Sequence, residues 1–144
     1  MSDQKNNNNK GVLRDKSLNL AVRIIKMCRY LREEKREFDI SRQLFRSGTN
    51  PGAMVRESEY AESGIDFVHK LGIAQKELNE TRYWLDLLLA SDYINSQEYK
   101  SIMNDADEVM RLVTSSIKTR KKNIENEKRQ QIMKPKNNKD ENIE

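Results

Sequence analysis

Arg23, Lys26, Arg29, Arg32 and Lys35 recur at steps of three, and Arg36 closes the run. On a helix that spacing keeps several of these side chains on one side. A row of guanidinium and ammonium groups is what phosphate oxygens bind. A second basic set, Lys118, Arg120, Lys121 and Lys122, opens a stretch from 118 to 139 with nine basic and two acidic residues, a net of +7. The first set lies in residues 14–36, where eight basic and three acidic residues give a net of +5. Between them, residues 57–108 hold four basic and twelve acidic residues, a net of −8. The whole chain carries only +4. Asymmetry on this scale suits binding to a polyelectrolyte, or charge-matched contact between subunits. Taken singly, each charge is better accounted for by a solvated helix face.

Chemistry of other kinds has little to work with. His69 is the only histidine and Cys28 the only cysteine, so no internal disulfide forms and no zinc cluster can be assembled. No Ser-His-Asp or Cys-His set is evident. His69 falls one residue off the apolar seam at Val68 and reads as a surface or subunit-contact residue. Cys28 lies on an apolar stripe and reads as a small buried hydrophobe. Gly48 and Gly52 lack the Gly-Lys-Ser/Thr flank of a phosphate-binding loop. Glu77 and Glu80 make an acid pair at i, i+3, but carboxylate metal sites in bundles need a Glu-x-x-His that this chain does not have. A structural role is expected instead, with Arg42 or Arg46 neutralising Glu77 or Glu80 across the bundle, because a lone buried carboxylate is costly. Trp84, beside Tyr83, is expected to pack between helices or subunits rather than to stack on bases. The expectation is a non-enzymatic protein with no cofactor and no metal.

The elements that must position these residues are helical. The chain has 144 residues, enough for one domain, with charged and hydrophobic residues at 35% each, two prolines and five glycines. No apolar run reaches the roughly 18 residues that a membrane span needs, and "MSDQKNNNNKG" has no apolar signal core. A cytoplasmic protein with no membrane partner is expected. Residues 1–13 read as a disordered N-terminal arm, 14–122 as a four-helix bundle, and 123–144 as a basic, largely disordered tail.

The first helix is expected over about 15–37, with a stripe of Leu18, Ala21, Val22, Ile25, Cys28, Tyr30 and Leu31. The second starts near Ile40 and carries Leu44, Phe45, Ala53, Met54 and Val55. The third is capped by Ser63 with Asp66 three residues on, and its seam runs Val68, Leu71, Ala74 or Gln75, Leu78, Thr81 or Arg82, Leu85 and Leu88. The fourth starts at Asn95 or Ser96 with Glu98 as capping partner. It carries Tyr99, Ile102, Met103, Ala106, Val109, Met110, Val113 and Ile117, and either ends there or continues as an exposed spike to about Met133. Four such helices with short turns give an all-α, antiparallel up-down-up-down bundle. Ile73, Trp84 and Leu87 fall outside the main seam and call for cover.

Residues 47–52, Ser-Gly-Thr-Asn-Pro-Gly, interrupt the second helix. Either they form a loop or the helix continues with a kink at Pro51, which removes one backbone donor. Asn50-Pro51 also reads as an N-cap and first helical residue. Gly48 would leave room for the proline ring or for a neighbouring helix. The kinked helix is preferred, since a loop leaves two pieces of about ten residues that are marginal alone.

The words "RQLFRSGTNPGAMVRESEYAES" and "DFVHKLGIAQKELNETRYWLDLLL" resemble the four-helix-bundle proteins encoded in intervening sequences of bacterial 23S ribosomal RNA genes. The matching positions are Arg46 to Thr49, Glu57, Asp66 to Leu71, and Glu80 to Leu85, within a likeness that covers about residues 14–122. Asn50-Pro51 departs from the Ser-Ile usual in the family, and Met54 stands where the family often has Asn. The resemblance implies a continuous, bent second helix. A related branch serves as the accessory protein of diversity-generating retroelements. That relation implies a ring of five identical bundles, a homopentamer whose basic surface holds RNA or DNA and meets a reverse transcriptase. Two functions follow: an RNA- or DNA-binding oligomer, or a scaffold subunit that docks a reverse transcriptase or another protein.

Overall fold

The computed structural model describes residues 2–135 as four helices joined by short turns: α1 (Ser2–Glu33), α2 (Asp39–Glu59), α3 (Gly64–Ala90) and α4 (Ser96–Met133). α1 packs on α2 and α4, and α3 packs on the same two. Rising numbers on one helix meet falling numbers on its neighbour. Gly52 and Gly48 of α2 lie against Ser17 and Ile24 of α1. Asn50 and Ser47 meet Glu77 and Thr81 of α3, and Lys16 and Arg23 of α1 meet Glu108 and Asp105 of α4.

The core is a single apolar cluster. α3 contributes Leu71, Ala74, Leu78, Leu85 and Leu88, and α4 contributes Ile102, Met103, Ala106, Val109, Val113 and Ile117. Both stripes follow the steps of three and four read from the sequence. Ser63 Oγ accepts the Asp66 amide, and Asn95 and Glu98 form a reciprocal capping box.

α1 departs from the reading. Its buried side is Leu13, Leu20, Ile24, Cys28 and Leu31, whereas Leu18, Val22, Ile25 and Tyr30 are exposed. The helix carries two apolar stripes, and packing against α2 and α4 selects the one containing Ile24. α1 also begins at Ser2, so residues 2–13, expected as a disordered arm, are helical here. Propagation from an already formed helix needs little added stabilisation, and Leu13 anchors the join in the core. At the other end α4 runs on to Met133 along an exposed stretch, so residues 123–133 of the expected tail are helical. Residues 136–144 lie outside the described part.

α2 is continuous through Pro51, which is buried. Its start is held from outside. Glu37, only 6% exposed, accepts the amides of Ile40 and Ser41 at 2.7 Å each, while Ser41 Oγ donates to the Glu37 carbonyl oxygen. The carboxylate thereby takes two donors that the first helical turn leaves unpaired and offsets the positive end of the helix dipole. Arg36, at φ 54°, makes the left-handed turn before it.

Two predictions follow from the α1–α2 contact. A Cβ built at Gly48 would lie 2.7 Å from Ile24 Cγ1 and 2.8 Å from its Cγ2. Helix propensity favours replacing a glycine by about 1 kcal/mol, but Ile24 is fully buried and has nowhere to retreat. Gly48→Leu is therefore expected to destabilise by about 1–3 kcal/mol through overpacking, read from urea unfolding midpoints; an unchanged midpoint defeats the close-approach explanation.

The second concerns Cys28, whose Sγ donates to the Ser41 carbonyl oxygen at 3.3 Å. Burial pushes its thiol up to about 11, with Arg32 pulling weakly down and Glu37 up. Native protein at pH 8 should alkylate far more slowly than unfolded protein. A thiol raised on folding adds stability that is intact below its ordinary value near 9 and declines as pH rises towards 11. Cys28→Ala should flatten that part of the stability profile relative to the parent.

Candidate nucleic-acid interface

The basic residues of α1 do not act as one row. Arg23 is taken up by α4: its Nη1 donates to Asp105 Oδ2 at 2.6 Å and to the Ser101 carbonyl at 3.1 Å, and its Nη2 donates to Ser101 Oγ at 2.8 Å. The sequence placed Arg23 with the phosphate candidates; the structure gives it a carboxylate partner on α4 instead. Lys16 pairs with Glu108 and Arg14 with Glu59 in the same way.

The rest of the set is left over. Lys26, Arg29, Lys35 and Arg36 are exposed and Arg32 is half-buried. Among the described residues no carboxylate oxygen comes within 4.0 Å of any of their nitrogens. Arg32 lies over the Phe45 ring and Arg36 over the Phe38 ring. Arg29, Arg32, Lys35 and Arg36 lie in or next to the α1–α2 turn, where Glu33, Glu34 and Asp39 are also exposed, and Lys26 lies about two turns back along α1.

The second set sits at the far end of the bundle. Lys118, Lys121 and Lys122 are exposed on α4. Arg120 lies over Phe67 of α3, 5.6 Å from the ring centroid, and its Nε lies close to Gly64, as does Ile124. This end therefore stands beside the start of α3, while the first set stands beside the start of α2. α2 has 21 residues, so the two groups are about 30 Å apart along the bundle.

The remaining candidates line the α2–α3 side. Gln43, Arg46, Thr49, Asn50, Glu77 and Glu80 border an open groove of about 550 Å³. The expected ion pair across it is not made. Asn50 Nδ2 donates to Glu77 Oε1 at 3.2 Å, and Trp84 Nε1 donates to Glu80 Oε1 at 3.2 Å. Neither Arg42 nor Arg46 comes within 4.0 Å of a carboxylate among the described residues. Both glutamates keep enough contact with water to need no cation. Trp84 is half-buried against the core and forms an edge-to-face pair with Tyr83, the ring centroids 5.0 Å apart.

His69 is exposed. Among the described residues, no group of three or more His, Cys, Asp or Glu side chains stands close enough together to hold a metal ion. No helix among them is long and apolar enough to cross a membrane. Sequence reasoning missed the surface on which Phe38, Arg42 and Phe45 join Arg32 and Arg36. The signal was their spacing of four and three residues, which runs along a face of α2 away from the core.

The comparison with curated proteins found no match. Among solved structures, one at 1.70 Å resolution is similar: a protein with unknown function from the S23 ribosomal protein family of Bacteroides thetaiotaomicron VPI-5482. It is 49% identical, with a TM-score of 0.76, over 76% of this chain and 98% of that one. The model of the 23S rRNA-intervening sequence protein family matches residues 10–115. That match spans the four packed helices up to the last core turns of α4, and the chain belongs to this family.

Proposed function

We propose that the chain is a non-enzymatic, homo-oligomeric protein of the cytoplasm that binds RNA or DNA through basic surfaces. One observation carries the reading. Arg14, Lys16 and Arg23 are drawn into pairs with acidic residues, while the cations at the two ends of the bundle have no carboxylate partner among the described residues. An exposed cation held by no carboxylate is ready to replace a counterion on a phosphate. The family's association with 23S ribosomal RNA genes supports RNA as the ligand.

Assembly into a ring, five-fold by resemblance, is part of the same reading. Ile73, Trp84 and Leu87 are half-buried within the bundle, but Leu18, Val22 and Ile25 form a second, exposed apolar stripe on α1. A second copy would cover it. On a ring, each basic end recurs on every subunit. Weak phosphate contacts then combine through effective concentration.

Filter binding across a salt series tests the reading. Affinity for RNA or DNA should fall steeply with salt and vary little with sequence. Lys118→Gln, Lys121→Gln and Lys122→Gln together should weaken binding and flatten the salt slope by about 0.7–0.9 for each phosphate no longer neutralised. Arg29→Gln with Lys35→Gln should do the same from the other end. Arg23→Gln should lower thermal stability and leave the slope unchanged. Unchanged affinity in both multiple variants would favour docking of a protein partner, such as a reverse transcriptase. A monomer by light scattering at micromolar concentration would remove the ring.

A further inference from the structure

Two phenylalanines at the start of α2 are left partly in water: Phe38 is 46% exposed and Phe45 is 38% exposed. Phe38 occupies the N-cap of α2 but its side chain makes no capping hydrogen bond; Glu37 does that work. With Arg42 and Thr49 they follow at i, i+4, i+7 and i+11, a single stripe along α2. The rings are seven residues apart, two helical turns, or about 10 Å along the axis.

One guanidinium lies over each ring, and Phe45 also borders the groove that holds Glu77 and Glu80. The Arg36 guanidinium lies 5.4 Å from the Phe38 centroid and that of Arg32 lies 6.0 Å from the Phe45 centroid. Arg29, Lys35 and Arg42 are exposed nearby on the same end of the two helices. None of the five has a carboxylate partner among the described residues. Glu33, Glu34 and Asp39 are exposed in the same turn, but none of them pairs with these cations. Unpaired cations beside two part-exposed rings fit a ligand with flat faces and negative charge.

The geometry points to a binding site for single-stranded nucleic acid at the α1–α2 turn, with unpaired bases stacking on Phe38 and Phe45 and phosphates meeting Arg29, Lys35 and Arg42. Every base has a π-face, so the site tolerates any sequence. A duplex offers no free base face to either ring, so it meets only the cations. The site rests on the nucleic-acid reading above and adds strand state as its selectivity. At the Lys118–Lys122 end the pairing of ring and cation differs: Phe67 is half-buried under Arg120 and packed on the core, while Tyr60, 89% exposed at the end of α2, has no guanidinium over its ring among the described residues.

The test compares full-length parent protein with Phe38→Leu/Phe45→Leu, which removes both rings but keeps apolar bulk and every charge. Fluorescence anisotropy is read with a labelled single-stranded RNA oligonucleotide and with its duplex, across a salt series. Single-strand affinity should fall about fivefold or more for each ring removed. The salt slope should not change, because every cation that meets a phosphate is retained. Duplex affinity and the light-scattering mass should also stay as in the parent. Equal losses on single strand and duplex, or no loss on either, would overturn the site. A change in mass would assign the stripe to subunit contact instead. Parent protein that binds neither probe would bring down the nucleic-acid reading itself, and that outcome is visible before any variant is made.

Discussion

Ile24 lies against the backbone of α2 because position 48 has no side chain. Much of the functional surface depends on that contact. A fully buried isoleucine contributes about 1.5–3 kcal/mol, and here it also fixes how near α1 and α2 can come. Gly52 repeats the approach one turn further on, where a Cβ would meet the Ser17 carbonyl oxygen at 3.4 Å. Ser41, Ser47 and Ser58 are the other small residues on the buried side of α2. With the two helices this close, Arg32 of α1 reaches over the ring of Phe45 and its Nε lies 3.4 Å from Ser41 Oγ. A bulkier α2 would move the cations away from the rings.

The electrostatics sort the cations by height along the bundle. α4 presents Asp105 and Glu108 to the middle of α1, and they take Arg23 and Lys16. On its other side Asp107 takes Arg82 of α3. These exposed pairs contribute little each to stability. Their larger consequence is neutralisation: Arg14, Lys16 and Arg23 are held by carboxylates, while the cations left without a partner lie towards the ends of the bundle, where Glu33, Glu34, Asp39 and Glu62 are also exposed.

Most of the fold was legible because α3 and α4 have unambiguous seams. Leu71 to Leu88 and Ile102 to Ile117 recur at helical steps with polar residues between them, and both helices begin at recognisable caps. α1 was harder. Leu18, Val22 and Ile25 satisfy the same periodicity as Leu20, Ile24 and Cys28, and only the shape of the partner decides between them. Gly48 is that deciding feature, and it sits on another helix. Glu37 was missed because it caps α2 from outside the helix, where the usual signature is sought one residue later. The interface was half legible. Charge spacing found the cations, but it assigned Arg23 to phosphate because Asp105 is far away in sequence. The two exposed phenylalanines were hidden inside a segment read for its core residues.

The 30 Å between the two basic ends sets a length scale for any shared ligand. A stacked strand rises 3.4 Å per nucleotide, so about nine nucleotides are needed to reach from one end to the other on one bundle. Shorter strands meet a single end and gain nothing from the second. If the bundles of the proposed ring stand side by side, their ends form two rims, and a long strand following one rim would meet chemically identical contacts at each step. A strand following the α1–α2 rim would be held by rings as well as charges. One following the Lys118–Lys122 rim would meet lysines and the exposed Tyr60 ring. Salt weakens charge contacts but leaves stacking largely intact, so the share of binding carried by the rings would grow as ionic strength rises. Strand state, and not base identity, is then the property that such a particle could read.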